Sequence, residues 1–310
     1  MRITLEQASN LLISGKVVAV PTETVYGLAA SIAHPTAIET IYSVKGRPSN
    51  NPLIIHVSSL DQMTPYATEI PPFFYELASA FWPGPLTVVL PIHTDLVPDK
   101  IRAGLPTAAF RIPNHPLVRE LIELTGPLVM PSANISGKPS ATSPSHVEHD
   151  FGSAFPVLDG GSSSKGVEST ILICLSGRWE VIRLGSIPAE EFKSVLGYIP
   201  EFKITHDGEK VLCPGQLFRH YAPNSRLLLI TDFSEDLKGT IIGYSDRKYP
   251  KGCDVRILGS LSMPEMCAER LYDVLRQLDK DDVASVYVDM AIPTTGLWAT
   301  LRERLYKAAG

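Results

Sequence analysis

A lysine and an arginine stand two residues apart, Lys45 and Arg47, ahead of a polar turn bounded by Pro48 and Pro52. An apolar run follows and carries one histidine, His56. Hydroxyl, amide and cationic groups recur at the expected ends of other strands. Thr22 and Thr24 follow the first strand, and Asn51 precedes the second. Arg111 sits in an apolar run that opens at Thr107, Ser132 and Asn134 follow Leu128-Val129-Met130, and Ser169 and Arg183 flank a hairpin. Ligands of open α/β sheets collect at strand ends. Clustered cations with Ser, Thr and Asn donors suit the binding and charge stabilisation of a polyphosphate. A nucleophilic hydrolase fits less well: Ser132 lies in no Gly-x-Ser-x-Gly elbow, and Cys174 and Cys213 have no local signature. Neither Gly-x-Gly-x-x-Gly nor the Walker pattern occurs.

Each group also has a plainer reading. Lys45 and Arg47 could merely complement a helix C-terminus. Arg111, if buried, needs an anionic partner, and a structural ion pair would serve as well as a ligand. His56 could be a satisfied core histidine, Ser132-x-Asn134 a turn, and Lys165 a solvated loop tip or part of a phosphate-wrapping loop.

The elements that must position these groups alternate. Thr4 is a plausible N-cap for an amphipathic helix over 3–14, ended by Gly15. A buried strand over 17–20 runs into Pro21-Thr22-Glu23-Thr24-Val25-Tyr26-Gly27-Leu28. Periodicity predicts a helix over 35–44, stopped by Gly46 and Pro48, then a strand over 53–57. Further helices are expected over 71–82, 115–124, 144–150 and 188–196, and strands over 86–90 and 107–112. A hairpin turns at Ser176-Gly177. Residues 197–223 have weak periodicity and read as an ordered linker. The pattern then restarts with strands over 226–230, 240–244, 254–258 and 283–288 and helices over 264–278 and 297–308. The expectation is an alternating α/β domain over 1–196, and a small Rossmann-like, doubly wound α/β domain over 224–310.

Composition narrows the function classes. The 310 residues are 44% hydrophobic and 20% charged, ordinary for a soluble globular chain with room for two domains. No apolar run approaches the ~20 residues of a membrane helix, and no signal peptide is read at the start, so cytoplasmic residence is expected. The four cysteines lie far apart without a Cys-x-x-Cys pair, which argues against zinc ribbons and disulfide frameworks. His146 and His149 have helical spacing but no further metal ligand in evidence, so a solvated helix face is the reading and no metal ligand is assigned. Net charge is −5; through Pro188 the chain carries 12 Lys and Arg against 15 Asp and Glu. A nucleic-acid binder held by phosphate counterion release is therefore disfavoured.

Taken together, eight segments resemble the YrdC-like family in its longer, two-domain L-threonylcarbamoyladenylate synthase form. They are Pro21 to Leu28, Lys45-Gly46-Arg47-Pro48 through His56, Trp82-Pro83-Gly84-Pro85-Leu86-Thr87 and Ala109-Phe110-Arg111-Ile112-Pro113. Pro131-Ser132-Ala133-Asn134-Ile135-Ser136-Gly137, Asp159-Gly160-Gly161, Glu168-Ser169-Thr170 and Arg219-His220-Tyr221-Ala222-Pro223 complete them, in family order. The resemblance implies that the α/β domain over 1–196 is a twisted, open, mixed sheet, and that the chain is a nucleotidyltransferase that converts L-threonine, bicarbonate or CO2, and ATP to threonylcarbamoyl-AMP and pyrophosphate. The product would feed N6-threonylcarbamoyladenosine formation in tRNAs that read ANN codons, through a separate transfer machinery, with a weak direct tRNA contact possible and no membrane partner. It implies that Thr24, His56, Arg111 and Ser169 hold threonine. Lys45, Arg47, Asn51, Thr107, Ser132, Asn134, Ser140, Arg183 and Tyr221 would hold ATP or the adenylate, with Lys45 and Arg47 assisting catalysis. Mg2+ is expected with ATP, without dedicated protein ligands. The linker would fold over the pocket. Alternatives are an RNA-binding module of the same fold without catalysis, or carbamoyl transfer to another acceptor. Two departures stand out: Leu217 where the family usually has a basic residue, and the bulky Gly296-Leu297-Trp298-Ala299 at the last helix.

Overall fold

Thr4 caps the first long helix through a full capping box: its hydroxyl accepts from the Gln7 amide, and the Gln7 side chain accepts from the Thr4 amide. In the computed structural model, which describes residues 1–48, 51–203 and 220–310, this helix follows a short strand and opens an alternating unit. That unit runs β1 (Arg2–Ile3), α1 (Leu5–Ile13), β2 (Val18–Val20), β3 (Gly27–Ser31), α2 (Pro35–Lys45), β4 (Ile54–His56), α3 (Leu60–Met63), α4 (Phe74–Phe81) and β5 (Leu86–Pro91). It continues with α5 (Asp99–Arg102), β6 (Thr107–Arg111), α6 (Pro116–Thr125), β7 (Leu128–Val129), α7 (Pro144–Phe151), β8 (Val157–Leu158), β9 (Thr170–Leu175), β10 (Arg178–Arg183) and α8 (Lys193–Leu196). The second unit is β11 (Arg226–Ile230), β12 (Thr240–Tyr244), β13 (Asp254–Gly259), α9 (Pro264–Lys280), β14 (Ser285–Asp289) and α10 (Leu297–Ala309).

The first unit forms one mixed sheet in the order β1-β8-β2-β3-β7-β4-β6-β5-β9-β10. Alternation along a strand sends neighbours to opposite faces. Leu28 and Ala30 accordingly join one apolar cluster, with Ile41 and Phe110, while Ala29 joins another with Leu12 and Leu121 from α1 and α6. α2 ends as expected: Gly46 takes a left-handed φ of 61°, which leaves Lys45 in the last turn and Arg47 just beyond it.

Three elements differ from the expectation. β3 is built of Gly, Leu, Ala, Ala and Ser, with no β-branched signal, yet is wholly buried between β2 and β7. Only glycine fits at its start, because a Cβ on Gly27 would stand 2.9 Å from the Met130 Cβ. The helix expected over 188–196 divides into a 3-10 turn, Ala189–Phe192, and α8. In the second unit the parallel sheet runs β11-β14-β12-β13, and α9 and α10 share one core with Leu227, Ile242, Tyr244, Val286 and Val288 on a single face. The unit is therefore not wound on both faces; its helices are held between its sheet and the first unit, as side-chain bonds from Tyr272, Arg276, Thr300 and Arg304 show.

Candidate active site

β4 and β6 are parallel neighbours in a register that sets His56 opposite Arg111. Both side chains are buried and line one cavity. The His56 Nδ1 lies 3.2 Å from the Ile54 carbonyl. A carbonyl only accepts, so Nδ1 carries the proton and Nε2 keeps a lone pair. Burial first, then the Arg111 charge, hold the imidazole well below its ordinary range, so the ring is neutral at pH 7. Arg111 donates from Nε to the Gly84 carbonyl at 3.3 Å. Its Nη2 stands 2.8 Å from a Glu23 carboxylate oxygen, a charge contact too bent to count as a hydrogen bond. The two readings of Arg111, structural ion pair and cavity wall, are thus both realised.

The turn after β2 brings Thr24 to the same cavity. The Thr22 hydroxyl donates to the Val25 carbonyl at 2.7 Å, so the 2.8 Å contact between the two threonine hydroxyls has Thr24 as its donor. Thr24 Oγ1 keeps acceptor capacity. Ser169 and Arg183 arrive from the hairpin: the Arg183 guanidinium donates to the Ser169 carbonyl at 2.9 Å and to its hydroxyl at 2.9 Å. Lys165 does not reach the cavity. Its loop instead clamps the Thr22-Glu23 turn, with the Lys165 amide on the Glu23 carbonyl and the Ser163 hydroxyl on the Thr22 carbonyl.

The nucleotide-side residues divide. Arg47, half-buried, lines the cavity and donates to the Asn51 and Pro52 carbonyls at 3.3 and 3.0 Å. Ser132 and Asn134 line it from the loop after β7. The Asn134 amide donates to the Ile135 and Lys138 carbonyls, leaving its buried Oδ1 without a partner. Lys45 is not on the wall. Its ammonium donates to the Ser132 and Asn134 carbonyls, and burial followed by the Arg47 charge pulls it well below the ordinary lysine range. It ties that loop to the end of α2 rather than facing open space. Asn51 is buried beside the wall, its side-chain oxygen without a partner. Thr107 is at the far end of β6, four residues or about 13 Å from Arg111, on the same face of the strand but outside the cavity.

Among the described residues, three polar wall residues were missed as candidates: Lys138, Glu168 and His220. Glu168 and His220 lie inside segments that carried the resemblance, so their motifs flagged them; Lys138 gave no signal. Ser140 donates to Glu168 at 2.6 Å. Tyr221, at the left-handed φ of 64°, stacks on Tyr272 of α9 with ring centres 5.4 Å apart. Cys213, Leu217 and Arg219, with most of the 197–223 segment, lie outside the described residues. His146, expected on a solvated face, reaches Asp273 of α9 at 3.2 Å. Among the described residues no cluster of three His, Cys, Asp or Glu is placed to hold a metal ion.

Residues 10–185 match the Sua5, YciO and YrdC family model, described as "Telomere recombination", and residues 187–310 match that of the threonylcarbamoyl-AMP synthase C-terminal domain. The chain is 37% identical to the Threonylcarbamoyl-AMP synthase of Bacillus subtilis, over 99% of this chain and 93% of that one. It is 38% identical to the protein of that name from Pyrococcus abyssi, over 98% and 93%. The crystal structure of Pyrococcus abyssi Sua5 complexed with L-threonine superposes with a TM-score of 0.89 at 36% identity, covering 100% of this chain and 96% of that one. Both domains, in their order and across nearly their whole length, place this chain in the Sua5, YciO and YrdC family, in its two-domain threonylcarbamoyl-AMP synthase form.

Proposed function

We propose that this chain joins L-threonine, CO2 or bicarbonate, and ATP into threonylcarbamoyl-AMP, with release of pyrophosphate. The observation that carries the reading is the pairing, in one cavity, of lone-pair acceptors on Thr24 and His56 with the cations Arg111 and Arg183. An amino acid needs both: acceptors for its amine, and guanidinium donors for its carboxylate. The full-length likeness to proteins named for this reaction supports it, as does the likeness to a relative solved with L-threonine.

The chemistry follows from what these groups can do. The threonine ammonium must lose a proton to water before it reacts, and the neutral His56 Nε2, which resists protonation, orients the amine as a hydrogen-bond acceptor. The free amine attacks the carbon of CO2, forming the N–C bond of a carbamate as one C–O π bond opens to carry the charge and an N–H proton passes to water; from bicarbonate, that proton leaves with the hydroxide as one water. A carbamate oxygen then attacks the α-phosphorus while the bond from that phosphorus to the bridging oxygen breaks, and pyrophosphate leaves. The protein contributes alignment and charge. Arg47 faces the phosphates, and Lys45 acts by fixing the Ser132–Asn134 loop. Asn134 Oδ1 is an acceptor, so its contact is a hydroxyl or amino group of the nucleoside rather than phosphate. Thr107 and Asn51 would meet a nucleotide laid along the β6 face toward its far end. Mg2+ enters with ATP as part of that substrate. Among the described residues the one carboxylate on the cavity wall, Glu168, already accepts from Ser140, Tyr272 and Arg304.

On this reading residues 1–196 are the catalytic domain, 224–310 the second domain, and 197–223 a linker that closes the cavity through His220 and Tyr221. The product passes to a transfer machinery acting on tRNA, in the cytoplasm. The deciding assay measures pyrophosphate release with ATP, threonine and bicarbonate, then with each omitted. Release that persists undiminished without threonine defeats the proposal.

A further inference from the structure

Glu168 is an odd residue for the wall of a polyphosphate site, since a free carboxylate there repels the ligand. It is 6% exposed, and every bond it makes neutralises or fixes it. Ser140 donates to one oxygen at 2.6 Å. Tyr272 of α9 donates at 2.9 Å, and Arg304 of α10 donates from Nε at 2.9 Å. Two of these three partners come from the second domain. Arg304 is wholly buried, and its remaining partners are the neighbouring Glu303 carboxylate, a backbone carbonyl beside the cavity wall and a ring on that wall. Its Nη2 donates to the Leu184 carbonyl at 2.7 Å, next to Arg183, and its guanidinium lies 4.8 Å from the centre of the Tyr221 ring. Tyr221 is thereby held between Arg304 and Tyr272 in a left-handed backbone conformation that a tyrosine adopts only when its surroundings impose it.

The approach of the two domains is set by backbone as well as by charge. A Cβ on Gly166 would stand 2.2 Å from the Ala268 carbonyl oxygen, and the Thr300 hydroxyl donates to the Gly185 carbonyl at 2.8 Å. α9 and α10 therefore cannot retreat without opening the wall at Glu168.

We infer that Arg304 is a positioning residue of the active site: by cancelling the Glu168 charge it makes the second domain part of the nucleotide-binding wall. It touches no substrate. It cancels the Glu168 charge, which leaves the Ser140 hydroxyl and the Tyr221 ring fixed for the nucleotide. Burial raises the Glu168 carboxyl and Arg304 lowers it, and the net result is an ionised carboxylate below its usual range. The inference deepens the proposed reaction by assigning a role in ATP binding to the second domain, and ATP affinity tests it independently of turnover.

The test compares the full chain with Arg304→Met and with Arg304→Met/Glu168→Gln, using calorimetric titration with Mg-ATP and with L-threonine at pH 6 and pH 8. In Arg304→Met the carboxylate loses its hydrogen-bonded cation and keeps only the Coulomb attraction of Arg183, so ATP affinity at pH 8 drops about tenfold or more while threonine affinity changes less than about threefold. Part of the ATP affinity returns at pH 6, where the unpaired Glu168 takes up a proton; the unmodified chain shows no such recovery. The double variant lacks both the Arg304 and the Glu168 charge, Glu303 keeps its Lys307 partner, and ATP affinity returns at both pH values. A folded Arg304→Met with unchanged ATP affinity overturns the inference, and so does a folded double variant that binds ATP as weakly as Arg304→Met. If Arg304→Met does not fold, the double variant decides: affinity near that of the unmodified chain supports the inference, and affinity reduced tenfold overturns it. Absence of threonine-dependent pyrophosphate release in the unmodified chain would count against the proposed reaction, and the ATP titrations would still judge Arg304.

Discussion

His56 and Arg111 are register partners on adjacent parallel strands, so the Arg111 charge adds to burial in keeping the imidazole neutral. His56 is lowered in the folded state, by burial and then by Arg111, whereas in the unfolded chain it returns to about 6.5. Below that value the unfolded state binds the extra proton and the folded state resists it. The His56 contribution to stability is thus present above pH 6.5 and is lost as pH falls toward the folded-state value. We expect the melting temperature to fall between pH 7 and pH 5 more steeply in the unmodified chain than in His56→Gln. Parallel curves would refute this. Arg111→Gln should move the acid limb of kcat/KM upward in pH, since it removes a cation that keeps the ring neutral.

Lys45 and Arg47 should separate in their effects. Lys45→Met removes the donor to two buried carbonyls and should cost about 1–3 kcal/mol, or roughly 2–10 °C in melting temperature. Arg47→Ala, on a half-buried side chain that faces the cavity, should leave the melting temperature within about 2 °C and raise the KM for ATP by about tenfold or more. Thermal scans beside steady-state kinetics check both. Equal losses of stability would show that Arg47 is structural too.

Gly166 combines a φ of 70° with the contact to Ala268. Gly166→Ala should therefore be destabilising by more than the roughly 1 kcal/mol of the backbone conformation, because the helix of the second domain must also shift. Limited proteolysis should then cut between the domains faster than in the unmodified chain. An unchanged digestion pattern would argue that the domains meet elsewhere.

Chelation should divide activity from stability. With no group of three metal-ligating side chains among the described residues, EDTA should stop ATP turnover yet leave the melting temperature of the ligand-free chain unchanged within about 1 °C. A clear drop would point to a metal held by the protein.

Much of the site was legible because its chemistry is local. Thr24, Arg47, Ser132, Asn134 and Ser169 stand where a turn follows or precedes a strand, and turns announce themselves through proline, glycine and hydroxyl residues. Lys45 was legible as a cation but not as a tie to carbonyls of residues 132 and 134, about ninety positions away. β3 escaped because its small residues carry no strand signal; burial on both faces, not propensity, makes it a strand.

Residue types and their order were enough to establish the alternating α/β plan, two domains and a site rich in cations and hydroxyls, since periodicity and turn chemistry act over a few residues. The lone pair on His56, the partnering of Arg111 with Glu23, and the presence of α9 and α10 at the cavity wall were not legible there. They depend on strand register and on the docking of Arg304 against Glu168, 136 positions apart. Distance-dependent terms of that kind, desolvation and Coulomb attraction, take values only once the chain has folded.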